Sequence, residues 1–337
     1  HLQDFEDYAV ETDVDEMEFE NVYAGSPSKK QSVTFTNVGG QSFEIYSVSC
    51  EGPFEADLTR NWPIAFNNKL TIPVRFNPIE AGVYESDLVF ETTVGQVIIK
   101  CKGEALSREG TLLLEDFEDD AAKWLVYDRD VDGLTWDLAS NLLGGEEEKF
   151  VRSGRQALVS MSYNYNLGGL TPDNWAISPE FTIPETSVQN VRLTWWVALQ
   201  AAGDYVGDTY TVYITDKELA KTFNEADWVE LYNETPDTEE WQMREVDISS
   251  YAGKTCHLAF RHHDCENHWM LKIDDLIVYD GTTGINAVEN NNKVITSQEF
   301  YSIDGMRIEK PENGIYIVKT IFSDGSSAAK KAIVRNK

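Results

Sequence analysis

Four carboxylates at the two ends of one long segment are the residues in this chain best placed to do chemistry. The segment opens LLLEDFEDD (Leu112 to Asp120) and closes LKIDDLIVYD (Leu271 to Asp280). Side chains alternate faces along an extended strand. The closing stretch therefore puts Leu271, Ile273, Asp275, Ile277 and Tyr279 in one row, with Asp275 in the middle of an apolar surface. The opening stretch puts Leu112, Leu114, Asp116 and Glu118 in one row. A carboxylate buried without a partner costs several kcal/mol. If the first and last strands pair, Asp116, Glu118, Asp274 and Asp275 can share one cation, and an oxygen-only shell suits calcium. Such an ion would be structural, with no open position for catalysis. In the alternative, Asp274 and Glu118 face solvent while Asp275 accepts backbone N–H groups.

A second, weaker calcium candidate is the loop Asp128-x-Asp130-x-Asp132-Gly133. It copies the first half of an EF-hand loop, but the twelfth position, where a bidentate Glu belongs, is Ala139. No helical pattern flanks it, so the choice is between a non-EF calcium loop and an acidic turn ending at Gly133. His257, His262, His263 and His268 cluster around Asp264 and Cys265. Zinc needs ligands on converging elements, and His262 and His263 point to opposite faces of a strand. Cys265 beside a His does not make a triad by adjacency alone, so packing is the expected role of this cluster. With 58 acids in the chain, candidate glycosidase pairs carry no information. No nucleophile elbow, Walker loop, H-E-x-x-H or dinucleotide fingerprint is present, and no catalytic residue is assigned. The aromatics matter more: Tyr163, Tyr165, Trp175 and Tyr205 fall in or near loops and are expected to form a ligand-facing patch for sugar rings. Trp196, opposite the core row, is expected in a second buried layer.

The elements that must position these groups are strands. Short apolar runs with Gly, Pro and Asn turn signals recur throughout, and helical periodicity is nearly absent. Asp216 to Asp227 reads as a loop insertion with a helical turn or two. In VRLTWWVAL (Val191 to Leu199), Val191, Leu193, Trp195, Val197 and Leu199 line one face and form core. At 337 residues the chain suits two or three domains. Residues 18–105 read as a small β-sandwich, 106–111 as a linker, 112–281 as a segment of jelly-roll size, 282–293 as a second linker and 294–337 as a small β-domain; 1–17 are an N-terminal extension. The fold class is all-β.

The formal net charge is −30. The 45 residues from Lys293 carry eight Lys/Arg against five Asp/Glu, so the preceding 292 carry −33. Such a surface repels phosphate backbones and excludes nucleic acid as a partner; it fits a secreted protein in millimolar calcium. No run of about 18 apolar residues exists to span a membrane. His1 followed by acids reads as a mature or trimmed product, with any signal peptide or lipid-bearing Cys upstream. Cys50 with Cys101 and Cys256 with Cys265 either bridge or remain buried thiols.

Three family resemblances add to this. FENVYAGS (Phe19 to Ser26), VTFTNVGG (Val33 to Gly40), SVSCEGPF (Ser47 to Phe54) and IPVRFNPIEAGVYESDLVF (Ile72 to Phe90) resemble immunoglobulin-like domains of the abnormal-spindle/hydin type, which act as spacers or docking modules. YDRDVDGLTW (Tyr127 to Trp136), GLTPDNWAISPEF (Gly169 to Phe181), LTWWVALQAAGDYVGDTYTVYIT (Leu193 to Thr215), LAFRHHDC (Leu258 to Cys265) and IDDLIV (Ile273 to Val278) resemble, in order, the cleaved-adhesin or choice-of-anchor J domain of gingipain-type haemagglutinins. That likeness also implies that Trp136 is presented from a turn. The last segment, with Gly314, Tyr316 and Val318 as a G-x-Y-x-V strand, resembles a type IX secretion sorting domain. Together these imply export to the cell surface and a calcium-bound jelly roll. The expected function is a non-catalytic, monomeric, secreted or cell-surface adhesin binding glycan or host/matrix protein. The rival is a structural spacer or accessory module without a specific ligand.

Overall fold

The computed structural model describes residues 7–59, 63–118, 123–143, 149–187, 190–201, 203–219, 223–281, 295–302, 307–308, 314–322 and 327–334. The chain divides into two compact units, His1–Ile285 and Asn286–Lys337. The expected linker 282–293, the first six residues of the N-terminal extension, and the turn signals around Gly305, Pro311 and Ser323 lie outside the described residues.

The fold is all-β. Strands up to Leu106 pair only among themselves, in one sheet centred on Gln31–Asn37 and Lys69–Phe76 and another centred on Gly82–Thr92 and Gly95–Leu106. Their alternating patterns bury Val33, Phe35, Ile72, Val74, Phe76, Leu88, Phe90 and Ile99 between the sheets.

Residues 111–280 form the larger sandwich. One of its sheets has Met270–Asp280 at its centre, flanked by Leu158–Met161 and Val191–Leu199, with Thr111–Glu115 also pairing with it. The facing sheet is built on Asn174–Ile177, Thr255–His263 and Thr209–Thr215. Val191, Leu193, Trp195, Val197 and Leu199 are all buried in the core between them, as the alternation predicts. The first and last strands pair, with Leu113 opposite Val278 and Leu114 opposite Ile277.

Alternation fails at one point in the closing strand. Leu271 and Ile273 face the core, but the next inward residues are Leu276 and Val278, not Asp275, Ile277 and Tyr279. Asp275 adopts φ +45°, and the register against Val191–Leu199 slips between Thr194 and Trp196. This is a β-bulge, which inserts an unpaired residue and resets which side chains point inward. The expected row through Asp275 is therefore corrected: Asp274 becomes fully buried and Asp275 is the bulged residue.

In the second unit, Ile295–Tyr301, Arg307–Ile308, Gly314–Phe322 and Ser327–Val334 form a four-stranded sheet, with Gly314, Tyr316 and Val318 in its longest strand. No helix among the described residues is long and apolar enough to cross a membrane.

Candidate binding site and metal centres

The bulge brings Asp274 and Asp275 against one loop, residues 151–157, which Glu118 also reaches, but no three of the four terminal-strand carboxylates come within 4.8 Å of one another. Asp274 accepts N–H groups from Arg152 (2.8 Å), Ser153 (3.3 Å) and Asp275 (2.8 Å). Asp275 accepts from the Ser153 hydroxyl at 2.9 Å and pairs with Arg152 Nη1 at 2.7 Å. Glu118 accepts the N–H groups of Arg155 and Gln156 at 2.6 and 2.8 Å. Asp116 accepts from the Ser26 hydroxyl of the first sandwich and from the Glu118 N–H. Burial pushes Glu118 up to about 7, with the two N–H groups pulling the other way. Burial also raises Asp274, the charge of Asp275 adding to it. Asp275 has the Arg152 guanidinium in direct contact. Arg152 is also stacked over Trp196, 4.3 Å from its ring centre, so that ring is half-buried beneath a cation and not in an apolar layer.

The second acidic group is assembled at close range. Carboxylate oxygens of Asp128, Asp130 and Asp132 lie within 4.8 Å of one another. Asp128 accepts from Val131 N (2.6 Å) and Gly133 N (2.9 Å), and Asp132 from Leu134 N (2.7 Å). Val131 and Gly133 take positive φ to make this turn. Crowding of three like charges and partial burial raise Asp130, burial being the larger cause.

Of the four aromatics expected in a patch, Tyr163, Tyr165 and Tyr205 lie on adjoining segments and Trp175 does not. The hairpin Tyr163–Asn164 and Gly168–Gly169 carries Tyr163 and Tyr165, whose rings meet edge-on at 5.6 Å. Tyr165 in turn meets Trp269 edge-on at 6.2 Å, and it is 79% exposed. Leu167 at the hairpin tip is also exposed. Gly169 lies against Asn267, and Gly207 so close to His268 that a Cβ there would fall 2.1 Å from its Nε2. The turn holding exposed Tyr205 therefore adjoins the loop holding Trp269. Trp175 does not belong to this rim. It is fully buried, stacked on Tyr213 at 4.8 Å and edged by Phe223, because it lies inside Asn174–Ile177 on the outer face of a sheet covered by Leu219, Phe223 and Trp228. Trp136, expected on a turn, is likewise buried and donates to Asn174 O. Trp269 was missed because a Trp between a His-rich loop and a strand carries no periodic signal.

All four cysteines are free. Cys256 begins the strand that Cys265 follows, so at about 3.3 Å per residue they sit roughly 25 Å apart and cannot bridge. His262 and His263 do face opposite sides: His262 Nε2 meets Asp208, and His263 Nε2 meets Thr211 Oγ1 at 2.8 Å.

Residues 110–278, half of the chain, match the family profile described as the Cleaved Adhesin Domain. Hemagglutinin A of Porphyromonas gingivalis is 30% identical over 177 residues, covering 46% of this chain and 8% of that protein. Lys-gingipain of the same organism is 27% identical over 213 residues, 61% of this chain and 11% of that protein. The chain thus spans roughly a tenth of the length of these relatives. The crystal structure of the K3 cleaved adhesin domain of Lys-gingipain, also from P. gingivalis, is 25% identical, with a TM-score of 0.41 over 50% of this chain and 99% of that domain.

Proposed function

Because the chain belongs to the Cleaved Adhesin Domain family, we propose that it is a non-catalytic adhesion module, secreted or held at the cell surface, that engages glycan or host/matrix protein through one rim of its larger sandwich. The observation that carries this reading is the edge-to-edge ladder Tyr163, Tyr165, Trp269, in which Tyr165 is exposed and its two neighbours half-buried, with exposed Tyr205 on the adjoining turn. Aromatic faces and edges beside flexible polar loops suit the C–H-rich faces of sugars and the side chains of proteins alike. The first sandwich, of immunoglobulin-like type in this reading, spaces the larger sandwich that bears the rim, and the C-terminal sheet serves as a sorting domain.

Calcium is the structural cofactor in this proposal. Asp116, Glu118, Asp274 and Asp275 offer oxygen-only donors beside the Arg152 and Arg75 guanidiniums, and the upward push on Glu118 and Asp274 is what a bound hard divalent cation would offset. Asp128, Asp130 and Asp132 offer a second such donor set. Bound there, calcium would supply charge neutralisation and hold loop to strand. Asp275→Ala should lower the melting temperature by several degrees and abolish the stabilisation that calcium confers; equal melts of wild type and variant, with and without EDTA, would sink the assignment.

Binding is tested on an array of glycans and matrix proteins probed with the intact chain in millimolar calcium and again in EDTA. Tyr165→Ala and Trp269→Ala should each weaken binding tenfold or more, about 1.4 kcal/mol. One observation favours the rival spacer reading: the two sandwiches contact each other directly, with Arg75 Nη1 on Gly154 O at 2.7 Å and Arg152 near Glu20 at 3.8 Å. A folded sample silent on the whole array in both buffers supports the spacer.

A further inference from the structure

The larger sandwich brings together three side chains that neither the acidic groups nor the aromatic rim uses. His262 is fully buried in Thr255–His263, and Asp208, 1% exposed, precedes the neighbouring strand Thr209–Thr215. Cys265 follows in the loop beyond His263. His262 Nε2 lies 3.1 Å from Asp208 Oδ1 and 3.2 Å from Cys265 Sγ. One ligand atom from each of the three lies within 4.8 Å of the others. A nitrogen, a thiol sulfur and a carboxylate oxygen converging on one point match the donors of zinc-class ions and are wrong for calcium. With metal–ligand bonds of about 2.0–2.3 Å, the donors of a tetrahedral zinc site lie roughly 3.3–3.7 Å apart. The observed spacing needs only a slight opening.

The competing chemistry for a Cys–His–Asp group is a nucleophilic thiol, and the geometry argues against it. In a triad the acid orients the imidazole from the nitrogen remote from the nucleophile. Here Asp208 and Cys265 both face Nε2.

Nδ1, the remote nitrogen, is met by the buried Ser160 hydroxyl at 2.8 Å. Ser160 Oγ in turn accepts from Asn174 Nδ2 at 3.3 Å, while Asn174 Oδ1 is buried with no hydrogen-bond partner. A metal on Nε2 moves the ring proton to Nδ1, which then donates to Ser160. Half a turn of the Asn174 amide would let its orphaned Oδ1 accept from the Ser160 hydroxyl. Metal-bound histidines are held by such a partner on their other nitrogen.

We propose that Asp208, His262 and Cys265 are the three protein ligands of a zinc-class divalent ion, with Ser160 orienting the His262 ring and water completing the tetrahedron. On binding, the Cys265 proton leaves to solvent and the sulfur takes up the metal. The ion then ties the Gly207–Asp208 edge to the loop that ends at Trp269, directly beneath the aromatic rim. This site stands whether or not the rim binds a ligand.

The test uses the intact chain with excess calcium present, so that oxygen sites are filled. Cobalt is titrated in and then displaced by zinc. One equivalent of cobalt should give a thiolate-to-metal charge-transfer band with d–d absorption of tetrahedral intensity, bleached by zinc. Cys265→Ala should abolish the charge-transfer band. Ser160→Ala should keep it and weaken zinc binding about 10–100-fold; an unchanged affinity overturns the orienting role. X-ray absorption at the zinc edge of the wild-type protein should find one sulfur at about 2.3 Å, which decides the matter even if a variant fails to fold. A folded wild type with no band, a zinc shell without sulfur, or a band that persists in Cys265→Ala would overturn the site.

Discussion

Single side chains in this protein derive their roles from how many donors meet them. Glu234 accepts from the Tyr210 hydroxyl (3.0 Å), the Tyr232 hydroxyl (3.2 Å) and Arg244 Nε (2.8 Å), and Tyr210 also takes the indole N–H of core Trp195. The network thus locks the edge of the core sheet to the strand Gln242–Asp247. Burial alone would raise Glu234, but Arg244 and the two phenols outweigh it and hold the carboxyl below its usual value. A depressed acid contributes stability that is fully present above its unfolded value of about 4.3 and is lost as pH falls through the folded one. Glu234→Gln should therefore cost about 1.5–3 kcal/mol at neutral pH, with the gap to wild type closing in acid. Urea unfolding at the two pH values checks it; a difference that does not shrink in acid contradicts this account.

At the scale of elements, the bulge at Asp275 and the loop under it are one device. The bulge aims Asp274 and Asp275 at the first half of residues 151–157, and Glu118 reaches the second half. Gly154 makes this possible. It takes φ +56°, and a Cβ there would lie 2.2 Å from Glu118 Oε1. Only glycine enters that backbone region without cost. Gly154→Ala should destabilise the chain by about 1–3 kcal/mol through strain and the displaced carboxylate, read as a lower midpoint in thermal unfolding. An unchanged midpoint would mean that Glu118 does not hold the loop. The same bulge explains why counting by twos along the closing strand works up to Ile273 and then selects the wrong face.

At the scale of the molecule, residues 7–281 behave as two sandwiches sharing one polar seam. Arg75 spans it, donating to Ser28 O at 3.0 Å on its own side and to Gly154 O at 2.7 Å across it. Ser26 joins Asp116 to Arg108 at the same seam. Calorimetry of the intact chain should show the two sandwiches melting together, and Arg75→Ala should separate their transitions; a coincident melt in the variant would show that the seam does not couple them. The net charge of −30 bears on solubility and on which partners are attracted, not on the choice of fold.

Strand content, the core row from Val191 to Leu199 and the pairing of first and last strands were legible from alternation and turn residues. These depend on the order of residues along the chain, and a period of two is a local property. The aromatic group was half legible: Tyr165 and Tyr205 stand exposed and Tyr163 half-buried on adjoining loops, but Trp175 is roofed over and Trp269 is the further ring beside them. Which aromatics a loop covers depends on chain far away in sequence. Of the Asp208, His262 and Cys265 group, His262 and Cys265 were legible as neighbours with packing the expected role, but Asp208 was not, since the cross-strand pairing of Tyr210 with His262 brings it across more than fifty residues. Sequence alone determined which faces must be buried; only the tertiary structure decided which polar groups meet there, because contacts between strands follow register and a single bulged residue resets it.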